Sequence, residues 1–125
     1  MNELQILASP LEQLGVAYRT TAIEVEAAIQ SGRHKVVNRL YARLASLSKE
    51  LRARGETGEQ LVLTLLSDEI LAVRVSAATS ALPFAAERAQ VVLALASEGP
   101  PSPLRLTAEM TLQEWRAGRL KFDNG

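Results

Sequence analysis

Apolar residues in this sequence recur at alternating intervals of three and four, segment after segment, and that spacing restricts the chain to packed amphipathic helices. Leu11, Leu14, Tyr18, Ala22, Val25 and Ile29 make one such stripe, and Val37, Leu40, Leu44, Leu47 and Leu51 make the next. Strict apolar–polar alternation never lasts long enough for a strand, and no Asn-Gly or Asp-Gly turn joins two β-rich runs.

Punctuation between the stripes sets the expected boundaries. Ser9-Pro10-Leu11-Glu12 reads as a helix start, with the serine as cap and the proline preorganised at the first turn. Residues 1–8 then read as a short N-terminal arm, since a helix running through Pro10 would kink. Ser31-Gly32 ends the first long helix. The second covers about Arg33 to Arg54, closed by Gly55 with Arg52 and Arg54 at the negative end of its dipole. Thr57-Gly58-Glu59-Gln60 opens a third helix with Leu61, Leu63, Leu65 and Leu66. A fourth runs from Ile70 through Val73, Ala77, Ala78 and Ala81 to Pro83. The fifth, about Ala85 to Glu98, is expected to turn Val91, Val92 and Leu95 inward. Ser102-Pro103 begins the sixth, whose buried face is Leu104, Ala108, Leu112 and Trp115. Gly118 closes it, leaving residues 119–125 as a C-terminal tail expected to fray at Asp123-Asn124-Gly125. The expectation is an all-α fold of six helices in three antiparallel hairpins, one domain over residues 1–125.

Composition agrees with helices. Hydrophobic residues are 47% of the 125 but aromatics only 4%, so the apolar mass is Leu, Ala and Val, which suits closely spaced helices. Cysteine is absent, which excludes disulfides and thiolate metal sites. The opening Met1-Asn2-Glu3-Leu4 lacks the basic and apolar regions of a secretory leader, and no apolar run reaches membrane-spanning length. A cytoplasmic location without a membrane partner is the expectation.

Net charge is zero but unevenly distributed: residues 1–32 carry −3, residues 33–54 carry +6, residues 55–100 carry −4 and residues 101–125 carry +1. On a helical projection Lys35, Arg39, Arg43 and Lys49 fall opposite Val37, Leu40, Leu44 and Leu51, so they make the candidate interaction surface. A solvated face paired with neighbouring carboxylates is the plain alternative.

Leu65-Leu66-Ser67-Asp68-Glu69-Ile70-Leu71-Ala72-Val73-Arg74-Val75-Ser76-Ala77-Ala78 resembles a HEAT repeat. Its marks are a leucine pair, a turn aspartate, Val-Arg, and paired alanines that let helices approach closely. Asp68 is placed to cap the following helix and Arg74 to reach back across the turn. The proline usual after that aspartate is missing. From Leu11 to Gly118 the chain also resembles a bacterial family, domain of unknown function two-thousand-nineteen. The matching residues are Asn38-Arg39-Leu40-Tyr41, Val73-Arg74, Ala77-Ala78, Glu87-Arg88-Ala89, Gly99-Pro100 and Ala108-Glu109-Met110-Thr111-Leu112. The resemblance implies a HEAT/ARM-like α-α superhelix and carries no chemistry with it.

Catalytic constellations are not found. His34 is the sole histidine and stands between Arg33 and Lys35 at a helix start. Glu24 and Glu26 are two apart on a helix and so do not face each other, and Asp68-Glu69 lies in a turn. No Gly-x-Ser-x-Gly elbow, Ser-x-x-Lys pair or phosphate loop occurs, and Gly55-x-x-Gly58 reads as a cap followed by a helix start. The expected function is a non-enzymatic protein-interaction module, an immunity or accessory protein being one version, without cofactor, metal or small-molecule substrate. Its expected partner is another protein with an acidic surface. The alternative is a nucleic-acid-binding domain using the second helix's basic face, against which zero net charge and few aromatics speak.

Overall fold

The computed structural model describes residues 1–122, which form seven α-helices and no strand. They are α1 (Glu3–Ala8), α2 (Leu11–Gln30), α3 (His34–Ala53), α4 (Glu56–Leu65), α5 (Leu71–Ala81), α6 (Ala86–Ala96) and α7 (Pro103–Arg116). The all-α class is as expected, but there are seven helices rather than six. The difference is α1, in the segment read as an arm. Asn2 accepts from the Gln5 amide at 2.8 Å while the Gln5 side chain accepts from the Asn2 amide at 2.8 Å, a capping box that starts the helix. Ser9 belongs to this helix too: its hydroxyl donates to the Gln5 carbonyl at 2.6 Å, and the N-cap of α2 is Pro10. Ser9 and Pro10 are extended, so the chain breaks there rather than kinking.

Contacts divide the chain into two compact units, Met1–Val62 and the part from Leu63 onward, with the boundary inside α4. In the first unit α2 and α3 form an antiparallel hairpin about Gly32. At φ +69° Gly32 adopts the left-handed conformation that ends α2, and the Arg33 amide returns to the Ala28 carbonyl at 3.1 Å. The core is the two stripes facing each other: Leu14, Tyr18, Ala22, Val25 and Ala28 against Leu40, Leu44, Leu47 and Leu51, all buried. Val36, Val37 and Ile29 close that core near the turn. Helix α1 packs on α3 through Ile6, and Arg54 ties its end down by donating to the Ile6 and Leu7 carbonyls at 3.3 Å each. The Leu7 carbonyl is one that a helix C-terminus leaves without an intrahelical partner, while that of Ile6 also accepts from the Ser9 amide at 3.2 Å.

In the second unit α6 packs against both α5 and α7. Helix α5 is buried over most of its circumference, from Ala72 and Val73 to Ala77, Ala78, Ser80 and Ala81. Helix α6 corrects the sequence reading: Val91 and Leu95 are 59% and 62% exposed, and Ala89, Leu93 and Ala96 are the residues turned inward. Along Gln90-Val91-Val92-Leu93-Ala94-Leu95-Ala96 the helix is apolar nearly all round, so periodicity did not choose the face. Small Ala89 and Ala96 flanking Leu93 give the side on which neighbours come closest. Helix α7 starts as expected, with Ser102 Oγ accepting from the Arg105 amide at 3.0 Å and Pro103 in the first turn. Gly118, at φ +72°, ends it. Arg119 then folds back, donating to both Glu114 carboxylate oxygens at 2.9 Å, which holds that carboxyl below its ordinary range. The Asp123-Asn124-Gly125 end of the expected tail lies outside the described residues.

Candidate interaction surface

Most arginines of this protein are used to hold it together. Arg52 donates to Ser48 Oγ at 2.9 Å, Arg54 to Glu50 and α1, and Arg116 to Gln90 Oε1 at 3.5 Å. Arg74 Nη1 donates to the Asp68 carbonyl at 2.7 Å, while Asp68 Oδ1 accepts from the Ile70 amide at 2.9 Å. That is the expected reach-back, except that Asp68 makes its turn two residues ahead of the N-cap, which is Ile70. Arg105 repeats the device: it bonds Glu109 at 2.8 Å and donates to the Gly99 carbonyl at 2.9 Å, again six residues upstream. Each arginine satisfies a carbonyl in the turn that precedes its helix. Arg74→Ala is expected to cost about 2 kcal/mol, because the Asp68 carbonyl loses a charged donor in a half-buried turn. Chemical denaturation checks it, and a loss below the usual surface scatter of about 0.5 kcal/mol would contradict it.

Against that background α3 stands out. Among the described residues, Lys35, Arg39 and Arg43 take part in no hydrogen bond or ion pair, and neither does the Arg33 side chain just before them. Lys49, the fourth member of the expected surface, is exposed but engaged within the chain. The members of that set without an intramolecular partner among the described residues thus lie in the N-terminal half of α3. Arg88 and Lys121 also have no partner among the described residues, but they lie far off in sequence, on α6 and after α7.

The placement of the first two of these cations in chain order, Arg33 and Lys35, is unfavourable for the helix. The first turn of α3 holds no acidic residue, and Arg33 and Lys35 crowd the end where the helix dipole is positive. Cations there cost the helix stability, so the sequence gives up local stability at this spot without intramolecular compensation. Next to them, α1 and α3 enclose an open groove of about 340 Å³, with Met1, Ile6 and Ala42 as apolar lining and Arg39, Arg43 and Ser46 along the α3 side. Glu3 lies on the α1 side.

The remaining candidates acquire plain surroundings. His34 is exposed at the start of α3, and among the described residues no three histidines, cysteines or carboxylates gather where a metal could be held. Glu24 is exposed, and Glu26 accepts from Gln30 Nε2 at 3.0 Å. Trp115 is half-buried and meets Phe122 edge-on at 6.3 Å between centroids. No helix among the described residues is long and apolar enough to cross a membrane.

Fold and surface together define an all-helical chain whose spare positive charge is concentrated on one helix face. Residues 12–115 match Domain of unknown function (DUF2019), and the chain belongs to that family. It is similar in structure to the protein RPA1889 from Rhodopseudomonas palustris CGA009, whose crystal structure gives a TM-score of 0.84 at 23% sequence identity. That similarity covers 94% of this chain and 98% of the other, and at such identity it is a likeness of fold. No curated protein matches.

Proposed function

We propose that the protein is a non-enzymatic binding module of the bacterial cytoplasm, built from HEAT-like hairpins, that docks an acidic partner protein on the N-terminal half of α3. The observation that carries this reading is the set of cations left unpaired in a protein that puts most of its other arginines to structural use. Unpaired charge at the wrong end of a helix is a local conflict of the kind that binding sites retain. The HEAT-like part is supported by the repeated turn device, with Val73-Arg74 before α5's alanines and Leu104-Arg105 before Ala108. An immunity or accessory role is one form that such a module takes.

A phosphate backbone would also meet these cations. The protein reading is preferred because Tyr41, the exposed aromatic of α3, lies across the helix from Arg39 by the 100° step and so offers no stacking platform beside the charges.

The test is affinity capture at moderate salt from a bacterial lysate, comparing the protein with its Lys35→Glu/Arg39→Glu/Arg43→Glu variant. A stoichiometric acidic protein retained by the first and lost from the second is the expected result. Capture of nothing specific, or equal capture by both, contradicts the reading. Lys35→Glu alone carries a separate expectation. It should weaken that binding yet stabilise the fold, by about 0.5 kcal/mol, since a carboxylate suits the start of α3 where an ammonium does not. A thermal melt that shows Lys35→Glu to be less stable would remove the argument from helix electrostatics.

A further inference from the structure

We infer that the groove between α1 and α3 receives one large apolar side chain from an acidic segment of the partner, with flanking carboxylates held by Arg39 and Arg43. The inference rests on the reading of α3 as a docking face and adds to it a place, a depth and a sequence signature for the partner.

The groove has the composition such recognition needs. Its lining from Met1, Ile6 and Ala42 is apolar, and its volume of about 340 Å³ is at the lower end of what ligand clefts enclose. Arg39 and Arg43 stand one helical turn apart, roughly 6 Å along the axis, and neither guanidinium has a partner within the described residues. Two unpaired guanidiniums one turn apart match two carboxylates at the same interval, each able to accept a bidentate pair of hydrogen bonds. Glu3 lines the α1 side of the groove and the two arginines line the α3 side, so an incoming carboxylate is drawn to the α3 wall.

A protein segment fits this arrangement better than a lipid surface does. The apolar lining is small and is bordered on both sides by charged residues, Glu3 on one and Arg39 and Arg43 on the other, so it offers no continuous apolar face for a bilayer. The exposed apolar residue Leu4, 78% accessible, lies by helical projection on the side of α1 away from Ile6 and hence away from the groove.

The experiment uses the full chain and two fluorescein-labelled oligo-glutamate peptides, one with a central leucine and one with serine in its place, followed by fluorescence anisotropy. The leucine peptide is expected to bind about tenfold more tightly than the serine peptide, the scale of one buried aliphatic side chain. Ala42→Trp, at an exposed position of α3 on the groove, should abolish that difference while leaving the serine peptide's affinity unchanged. Arg39→Glu/Arg43→Glu should abolish both. Circular dichroism establishes that each variant is folded. If both peptides bind equally and Ala42→Trp changes nothing, the groove has no role and the inference fails, while the basic docking face survives. If neither peptide binds, both readings fall. Binding to phosphatidylserine vesicles or duplex DNA with neither peptide bound would overturn the inference in favour of a phosphate-bearing surface.

Discussion

Replacing Gly58 with alanine is expected to destabilise the protein more than almost any other exchange of a hydrogen for one methyl group. A Cβ at this position would lie 1.8 Å from the Leu51 carbonyl oxygen and 2.7 Å from its carbon, and both are backbone atoms of α3. A flexible side chain could swing aside; a helix backbone cannot move without disturbing buried Leu47 and Leu51. The expected loss is at least about 3 kcal/mol, the upper end of overpacking penalties. Gly15 supplies the internal control, because it too is a buried glycine within a helix of the same unit. There the nearest atoms belong to the Leu61 side chain, with Cδ2 at 2.9 Å, and that side chain can rotate. Its replacement by alanine also gains helix propensity, up to about 1 kcal/mol. Gly15→Ala should therefore be nearly neutral while Gly58→Ala is not. Urea unfolding of the two variants reads the contrast, and similar midpoints would show that α4 does not approach α3 as closely as described.

Gly58 also marks where the sequence stops being readable. Its position after Gly55 suggests a helix opening, and Gly58 does lie in the first turns of α4. The close approach is a property of two helices meeting, and nothing within a few residues of Gly58 encodes it. The long stripes of α2 and α3 were legible because each runs unbroken for five or six helix-spaced positions, and in α3 the rest of the circumference is largely polar, so one face stood out. Helix α6 failed the same test for the opposite reason: with apolar residues nearly all round, its buried side is decided by what it meets. Helix α1 escaped because it is six residues long and buries Ile6 alone, too little for periodicity to register. Its signal was local, in Asn2 and Gln5, where a capping box leaves a two-residue trace.

The interaction surface divides along the same line. That Lys35, Arg39 and Arg43 share an outward face follows from 100° per residue. That they are unpaired, whereas Lys49 is engaged, depends on which carboxylates the fold brings near, and no spacing rule supplies that. The Arg105 device was available to sequence reading, since Leu104-Arg105 echoes Val73-Arg74. It was hidden by Pro100, Pro101 and Pro103, which read as helix punctuation instead of as a repeated turn. The groove beside Arg39 was illegible, because one of its walls belongs to α1.

The second large effect is expected at Tyr18. It is fully buried in the middle of α2, the bulkiest side chain so enclosed, and it stands among Leu14, Ala22 and the leucines of α3. Among the described residues no buried side-chain polar atom lacks a hydrogen bond, so its hydroxyl is satisfied inside the core. Two contributions can then be separated by two variants. Tyr18→Phe keeps the ring and leaves a partner atom unsatisfied, which should cost about 1–2 kcal/mol. Tyr18→Ala removes the ring as well and opens a cavity in the packed core between α2 and α3; about 4 kcal/mol is expected. For a domain of ordinary stability that is a large fraction of the total, so the alanine variant should be partly unfolded near 37 °C while the phenylalanine variant stays folded. The ordering matters more than either value. If Tyr18→Phe proved as damaging as Tyr18→Ala, the hydroxyl's hydrogen bond rather than the packing of the ring would be what holds α2 against α3, and the account of this core as two interlocked apolar stripes would be wrong.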